Sequence, residues 1–201
     1  MPIPRLILAS ASPRRRELLY SAGYDFEVHP ADIDEEDYPP GTLPGDLAQL
    51  LATLKAQALA AKFPNDVILA ADTVVAFGDL PLGKPEDEIE SEQMLRLLAG
   101  TTHVVITGVA VIHSATAFSR FSRVMSSVHM RELSDSEITA YVQSNDWRGK
   151  AGGYGIQDEK ADPFVTRMSG SHTNIVGLPM EVTVELLTSA GIVPTRPAMP
   201  V

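Results

Sequence analysis

Apolar residues along this chain change their spacing several times, and each change marks an element. The short continuous run Arg5–Ala9, "RLILA", leads into "SASPRRRELLYSAG". There Ser12 is placed to cap a helix, Pro13 takes the favoured first position, Leu18 and Leu19 form the buried face and Gly23 closes it. The pattern predicts a strand, a tight turn and a helix. "YDFEVH", Tyr24 to His29, predicts a second short strand, and "PADIDEEDYPPGTLPG" an acidic, proline-rich loop. From about Pro44 to Lys62, leucine and alanine recur at helical spacing, with Leu47, Leu50, Leu51, Leu54 and Ala58 on one stripe. "DVILAADTVVAF", Asp66 to Phe77, is nearly all apolar, as in a strand buried on both faces, but Asp72 and Thr73 interrupt it.

Further along, "PEDEIESEQMLRLLAG" predicts a helix with Pro85 near its start, acids in its first turn and Gly100 beyond its end. Two strands follow, "HVVITGVAVIH" and a second from about Ala117 to Arg131. Ser134 and Glu137 stand in capping-box register at the head of a short helix. The glycine-rich stretch from Arg148 to Pro179 carries two strand-like pieces and leads into a last helix, about Pro179 to Ala190. No repeat or linker divides the chain. The expectation is one α/β domain over 1–193, built on a mixed, mainly buried sheet, with a loose tail over 194–201.

Composition narrows the chemistry. With 201 residues and 44% apolar content the chain can bury a sizeable core, and without cysteine it has no disulfides, thiolate metal sites or thiol nucleophile. Its first apolar run is too short for a signal peptide and no stretch approaches a membrane span, which leads to the expectation of a cytoplasmic protein with no membrane partner. A formal charge of -10 argues against a sequence-independent nucleic-acid partner, which would need a broad basic face. A polyanionic ligand would have to be small and met by a local cluster.

Arg14, Arg15 and Arg16 are the obvious cluster. Cations at a helix N-terminus oppose the macrodipole and cost about 0.3–1 kcal/mol each, so something other than helix energetics keeps them there. A phosphate would, met by the free N–H groups of the turn and the guanidinium forks. Successive helical residues lie about 100° apart around the axis, so one or two can face the ligand and the remainder are solvated. A basic surface turn pairing with the many acids explains the triplet equally well. Asp72 is the sharper signal, because a carboxylate inside a buried strand must be paired, hydrogen-bonded or metal-bound. Glu35, or its neighbours Asp32, Asp34 and Glu36, can add a second carboxylate, and two hard oxygen ligands with phosphate and water suffice for magnesium.

Two glycine-rich stretches mislead. "GDLPLGKP", Gly78 to Pro85, fits the start of a phosphate-binding loop, but Pro85 stands where Ser or Thr must ligate the metal and Pro81 removes a further backbone donor. It reads as a hairpin leading into a helix, with Lys84 still able to meet a phosphate. "KAGGYGIQ" lacks the spacing of a dinucleotide fingerprint and reads as backbone that approaches something closely, with Gln157 able to read a base edge. The five histidines show no ligand spacing, and Ser171 is not set in a nucleophile elbow.

Taken together, "LASASPRRRELL", "DEE", "LKAQA", "LAADTVV", "GKP", "QMLRLLAGTTHVVITGVAV", "KAGGYGIQ" and "GSHTNIVGLP" resemble, in order and spacing, the Maf family of nucleotide pyrophosphatases, also called septum formation inhibitor-like, from about Leu6 to Gly191. The resemblance implies a mixed α/β fold related to the inosine triphosphate pyrophosphatases, with a cleft between two lobes, and a homodimer. It also implies metal-dependent hydrolysis of a nucleoside triphosphate to the monophosphate and pyrophosphate, with Mg2+ or Mn2+ as the cation. Its acidic catalytic position, the proton acceptor, falls on Asp72, with phosphate-binding and catalytic positions on Ser10, Ser12, Arg14, Arg15, Glu35, Lys55 and Lys84. Asp72 and Glu35 would hold the metal. Substrate-selecting positions fall on Arg14, Thr73 and Gln157, and the threonine and glutamine resemble the branch acting on dTTP and UTP, with CTP or modified pyrimidine nucleotides as further candidates. Arg16 and the "DEKAD" after Gln157 depart from the family pattern. A rival from another class is a nucleotide-binding regulator of septum formation that does not turn its ligand over.

Overall fold

The computed structural model describes residues 4–156 and 164–199. Strands β1 (Leu6–Leu8), β2 (Glu27–Val28), β3 (Val67–Phe77), β4 (Leu80–Leu82), β5 (Thr102–His113), β6 (Phe118–Met130) and β7 (Val165–Ser169) form one mixed sheet. Its order is β2-β1-β3-β5-β6-β7, with β4 also on β3. The helices are α1 (Pro13–Ser21), α2 (Pro44–Ala60), α3 (Glu88–Leu98), α4 (Asp135–Ser144), α5 (His172–Val176) and α6 (Met180–Ser189). No helix among the described residues is long and apolar enough to cross a membrane.

The expected mixed sheet flanked by helices is therefore present, and its pairing creates a gap. β1 runs parallel to β3 as far as the Leu8–Leu69 pair, whereas β4 folds back antiparallel on the same strand from Val75 onward. Between them, β3 has no strand neighbour along that edge among the described residues. Apolar side chains then pack on both faces, as the unbroken "VILAA" pattern requires. α2 covers one face along its length, over Ile68, Ala70, Val74, Ala76, Ile106 and Ala110. The other face carries two separate clusters. One joins Leu18, Leu19 and Leu187 to the β1 end, and the second joins Leu95, Leu98, Ile138 and Trp147 to the β4 end. The division lies at the gap.

Several expectations shift in detail. The buried side of α2 is Ala48, Ala52, Ala56 and Lys55 with Leu47, Leu51 and Leu59, while Leu50, Leu54 and Ala58 are half-buried. Small residues win because the helix lies almost against the sheet: a Cβ on Gly108 of β5 would run into the Ala48 carbonyl. The glycine-rich stretch contributes one strand, β7, and the short helix α5 among its described residues, rather than two strands. The described part of the tail is bonded to the rest of the domain. Thr195 and Arg196 donate main-chain N–H groups to the Gly23 carbonyl, and Arg196 pairs with Asp25 and lies over the Tyr20 ring. Gly23, at φ 86°, has no Cβ where the Arg196 carbonyl sits.

Candidate functional site

A cavity of about 570 Å³ opens at the gap in the β3 edge. Because no strand among the described residues covers that edge, residues pointing to opposite faces of β3 both reach it: Asp72 on the α2 side and Thr73 on the other. Its walls come from the turn before α1 (Ser10, Ser12), the first turn of α1 (Arg14, Arg15), the acidic loop (Glu35), α2 (Lys55), the loop after β4 (Lys84) and the segment 148–156. Every site residue expected from sequence lines this cavity except Gln157, which lies outside the described residues.

Lys55 is the centre of the charge arrangement. Helical spacing puts it one turn beyond Leu51 on the buried side of α2, and its Nζ donates to Asp72 Oδ1 at 2.5 Å and pairs with Glu35 Oε1 at 2.8 Å. Lys55 and Asp72 are each only 7% exposed, so each needs the other to offset its desolvation. Glu35 Oε2 pairs in turn with Lys84 at 3.1 Å. Partial burial works against the Glu35 anion, but Lys55 and Lys84 prevail and hold its carboxyl below the usual carboxylate range. The result is an alternating chain, Asp72, Lys55, Glu35, Lys84, running from the cavity floor to its rim.

Arg15 lines the cavity but is largely engaged inside the protein. Its Nε donates to the Gly177 carbonyl at 2.8 Å, its Nη1 to the Ala71 carbonyl at 2.7 Å and to Ser10 Oγ at 3.2 Å, and its Nη2 to Thr73 Oγ1 at 2.9 Å. Four of a guanidinium's five N–H groups are thus used inside the protein. The open β3 edge is the physical reason, since the Ala71 carbonyl has no strand to bond it and an arginine takes that place. Burial lowers the Arg15 pKa from its ordinary value, with Asp72 acting in the opposite sense. Arg14 has no side-chain partner among the described residues and lines the cavity. Arg16 faces a different hollow beyond α1, beside Glu17, Tyr20 and Arg196. Ser12 caps α1 by accepting from the Arg15 N–H, and Ser10 accepts from the Ser12 N–H.

Sequence reasoning missed the polar layer beneath the site. Asn174, fully buried, donates to the Val105 carbonyl and to Ser126 Oγ, and Thr107 donates to the Asn174 carbonyl while bonding Thr73 at 3.0 Å. Threonine and serine inside strands were the available signal. It also missed Tyr154, which lines the cavity and whose hydroxyl meets His103 Nε2 at 2.5 Å. Burial, then the nearby His129, pushes His103 down to about 4, and burial raises Tyr154.

The donor set can be tested against a divalent cation. No three His, Asp or Glu side chains converge among the described residues, which offer two carboxylates here, Asp72 and Glu35. Lys55 occupies Asp72 Oδ1, while Oδ2 has no hydrogen-bond partner among the described residues. Magnesium is commonly held by one or two carboxylates plus phosphate oxygens and water. The set fits a cation that arrives with a phosphate ligand, not one held by the protein alone.

Comparison with known proteins agrees with the motifs. The family model described as Maf-like protein matches residues 5–190. A protein named dTTP/UTP pyrophosphatase from Cereibacter sphaeroides is 50% identical over 93% of this chain and 95% of its own. Proteins of the same name from Caulobacter vibrioides and Pyrococcus furiosus are 47% and 43% identical, over 95% and 91% of this chain and 98% and 94% of theirs. Among solved structures, a HAM1 protein from Coxiella burnetii aligns with a TM-score of 0.43 at 14% identity, over 64% of this chain and 73% of that one.

Proposed function

This chain belongs to the Maf-like protein family, and from that premise we propose that it hydrolyses nucleoside triphosphates, dTTP and UTP first among them, to the monophosphate and pyrophosphate. The observation that carries the reading is the buried Asp72–Lys55 pair on the floor of a cavity, extended through the exposed Glu35 to a rim that adds Lys84 and Arg14. It combines carboxylates that can act on water with cations that can act on phosphate.

Each residue then has a part. Asp72 Oδ2 is the free carboxylate oxygen at the floor, available either to accept a proton from the attacking water or to act as a cation ligand. Lys55 fixes the Asp72 carboxylate through Oδ1 and, with Lys84, counters the charge that develops on the leaving pyrophosphate. Ser10, Ser12 and Arg14 meet the phosphates beside the N-terminus of α1, whose unpaired N–H groups favour an anion. Arg15 positions Thr73 and the turn before α1 rather than the substrate. Asp72 Oδ2 and Glu35 would hold magnesium or manganese together with phosphate oxygens, where such an ion lowers the pKa of bound water and offsets developing charge. Thr73 and Gln157 would read the base. Self-association as a homodimer belongs to the same reading, and light scattering checks it.

Incubating the pure protein with dTTP, UTP, CTP and 7-methyl-GTP, with magnesium or manganese and with a chelator control, tests the proposal. Stoichiometric pyrophosphate from dTTP and UTP, lost on chelation, is the expected result. Tight nucleotide binding with no release from any of the four would favour the regulator, and orthophosphate as first product would place the cleavage at the wrong bond.

A further inference from the structure

Arg148 lines the same cavity, on the wall that carries Lys84, and the reaction as derived gives it no role. It is an exposed side chain held in one place. Its Nε donates to Asn145 Oδ1 at 2.9 Å, and its guanidinium lies over the Trp147 ring, 4.4 Å from the centroid. Trp147 is itself buried, with its indole N–H donated to the Val142 carbonyl at 2.9 Å. Asn145 closes α4 in a left-handed conformation, φ 61°, which sets the direction of the turn. The segment is then tied to the neighbouring loop, because the Gly152 N–H donates to the Gly83 carbonyl at 2.8 Å, immediately before Lys84. Arg148 and Lys84 therefore belong to one wall. Stacking and a single hydrogen bond leave Nη1 and Nη2 without partners among the described residues.

Three of the other cavity cations are largely spent. Arg15 is bonded to two carbonyls and two hydroxyls, Lys55 to two carboxylates and Lys84 to Glu35. Arg14, from the first turn of α1, and Arg148, from the segment after α4, retain guanidinium edges for a ligand among the described residues. A fork of that kind pairs with a phosphate through two parallel N–H groups. Lys84 is joined through Glu35 and Lys55 to the reacting carboxylate, so the wall it shares with Arg148 is where departing charge accumulates.

Resting on the pyrophosphatase reading above, we propose that Arg148 is a substrate-binding residue that grips the terminal phosphates, the part of the nucleoside triphosphate that leaves as pyrophosphate. Calorimetric titration of inorganic pyrophosphate, and separately of dTMP, into the wild-type protein, R148A and R148K with magnesium tests it. The expected result is pyrophosphate binding weakened about tenfold or more in R148A, with dTMP binding within about twofold of wild type and R148K in between. Unchanged pyrophosphate affinity in R148A, equal loss for both ligands, or no pyrophosphate binding by the wild type would overturn the assignment. Failure of the functional reading shows separately, as absence of pyrophosphate release from every triphosphate by the wild-type protein.

Discussion

Three consecutive arginines end in three environments. Arg14 faces the cavity, Arg15 is bonded to the Ala71 and Gly177 carbonyls, and Arg16 lies beside a hollow on the far side of α1. The roughly 100° step between helical residues makes this divergence legible in sequence. What sequence did not reveal was Arg15's task, because the unpaired β3 edge it serves exists only once β1 and β4 have taken their places. Alanine substitutions should therefore differ in kind. R14A should raise KM at least about tenfold with the fold intact. R15A should lower stability by at least about 2 kcal/mol, since it strands buried carbonyls. R16A should change stability by no more than about 0.5 kcal/mol and leave turnover as it is. Denaturant melts and steady-state kinetics on the three variants check this, and equal effects would contradict it.

α2 and β5 show how an element positions the chemistry. Lys55 reaches Asp72 because α2 lies close on the sheet, and that closeness needs glycine at 108. G108A should push α2 outward, costing about 1–3 kcal/mol and more activity than stability loss alone explains. Thermal melting beside turnover at a temperature where the variant is fully folded separates the two. The helix itself was plain from its spacing, yet its buried side was misjudged in favour of leucine. Alanine spacing at 48, 52 and 56, with Lys55 among them, carried the information, but hydrophobicity alone ranks alanine below leucine. β5 adds a pH test through His103, whose folded value near 4 lies below its ordinary 6.5 because of burial and then His129. Between those values the unfolded chain binds the extra proton, so stability is full above about 6.5 and falls as pH drops toward 4, by an amount on the order of 3 kcal/mol. Urea unfolding of wild type and H103Q at pH 7 and 4.5 should show the steeper loss in the wild type. Parallel losses would remove His103 as the cause.

At the scale of the molecule, a protein of formal charge -10 concentrates Arg14, Arg15, Lys55, Lys84 and Arg148 around one cavity. That is how an acidic chain can hold a polyanion without a broad basic face. Motif order was enough to place the site residues together, and the structure brings every one of them that lies among the described residues to that cavity. A cleft was expected from the resemblance, but its origin was not legible in the residues, because it depends on β1 and β4 sharing one edge of β3 and parting between Leu69 and Val75. The tail's attachment to Gly23 was hidden for the same reason, being a contact across 172 positions of sequence. The proposed function has Asp72 act at the α,β-phosphate bond. Pyrophosphate release from dTTP with magnesium, measured for the wild type and D72N at matched folded concentration, tests that claim most directly. The account predicts a loss of several orders of magnitude in D72N, and near-normal pyrophosphate release by that variant would contradict it.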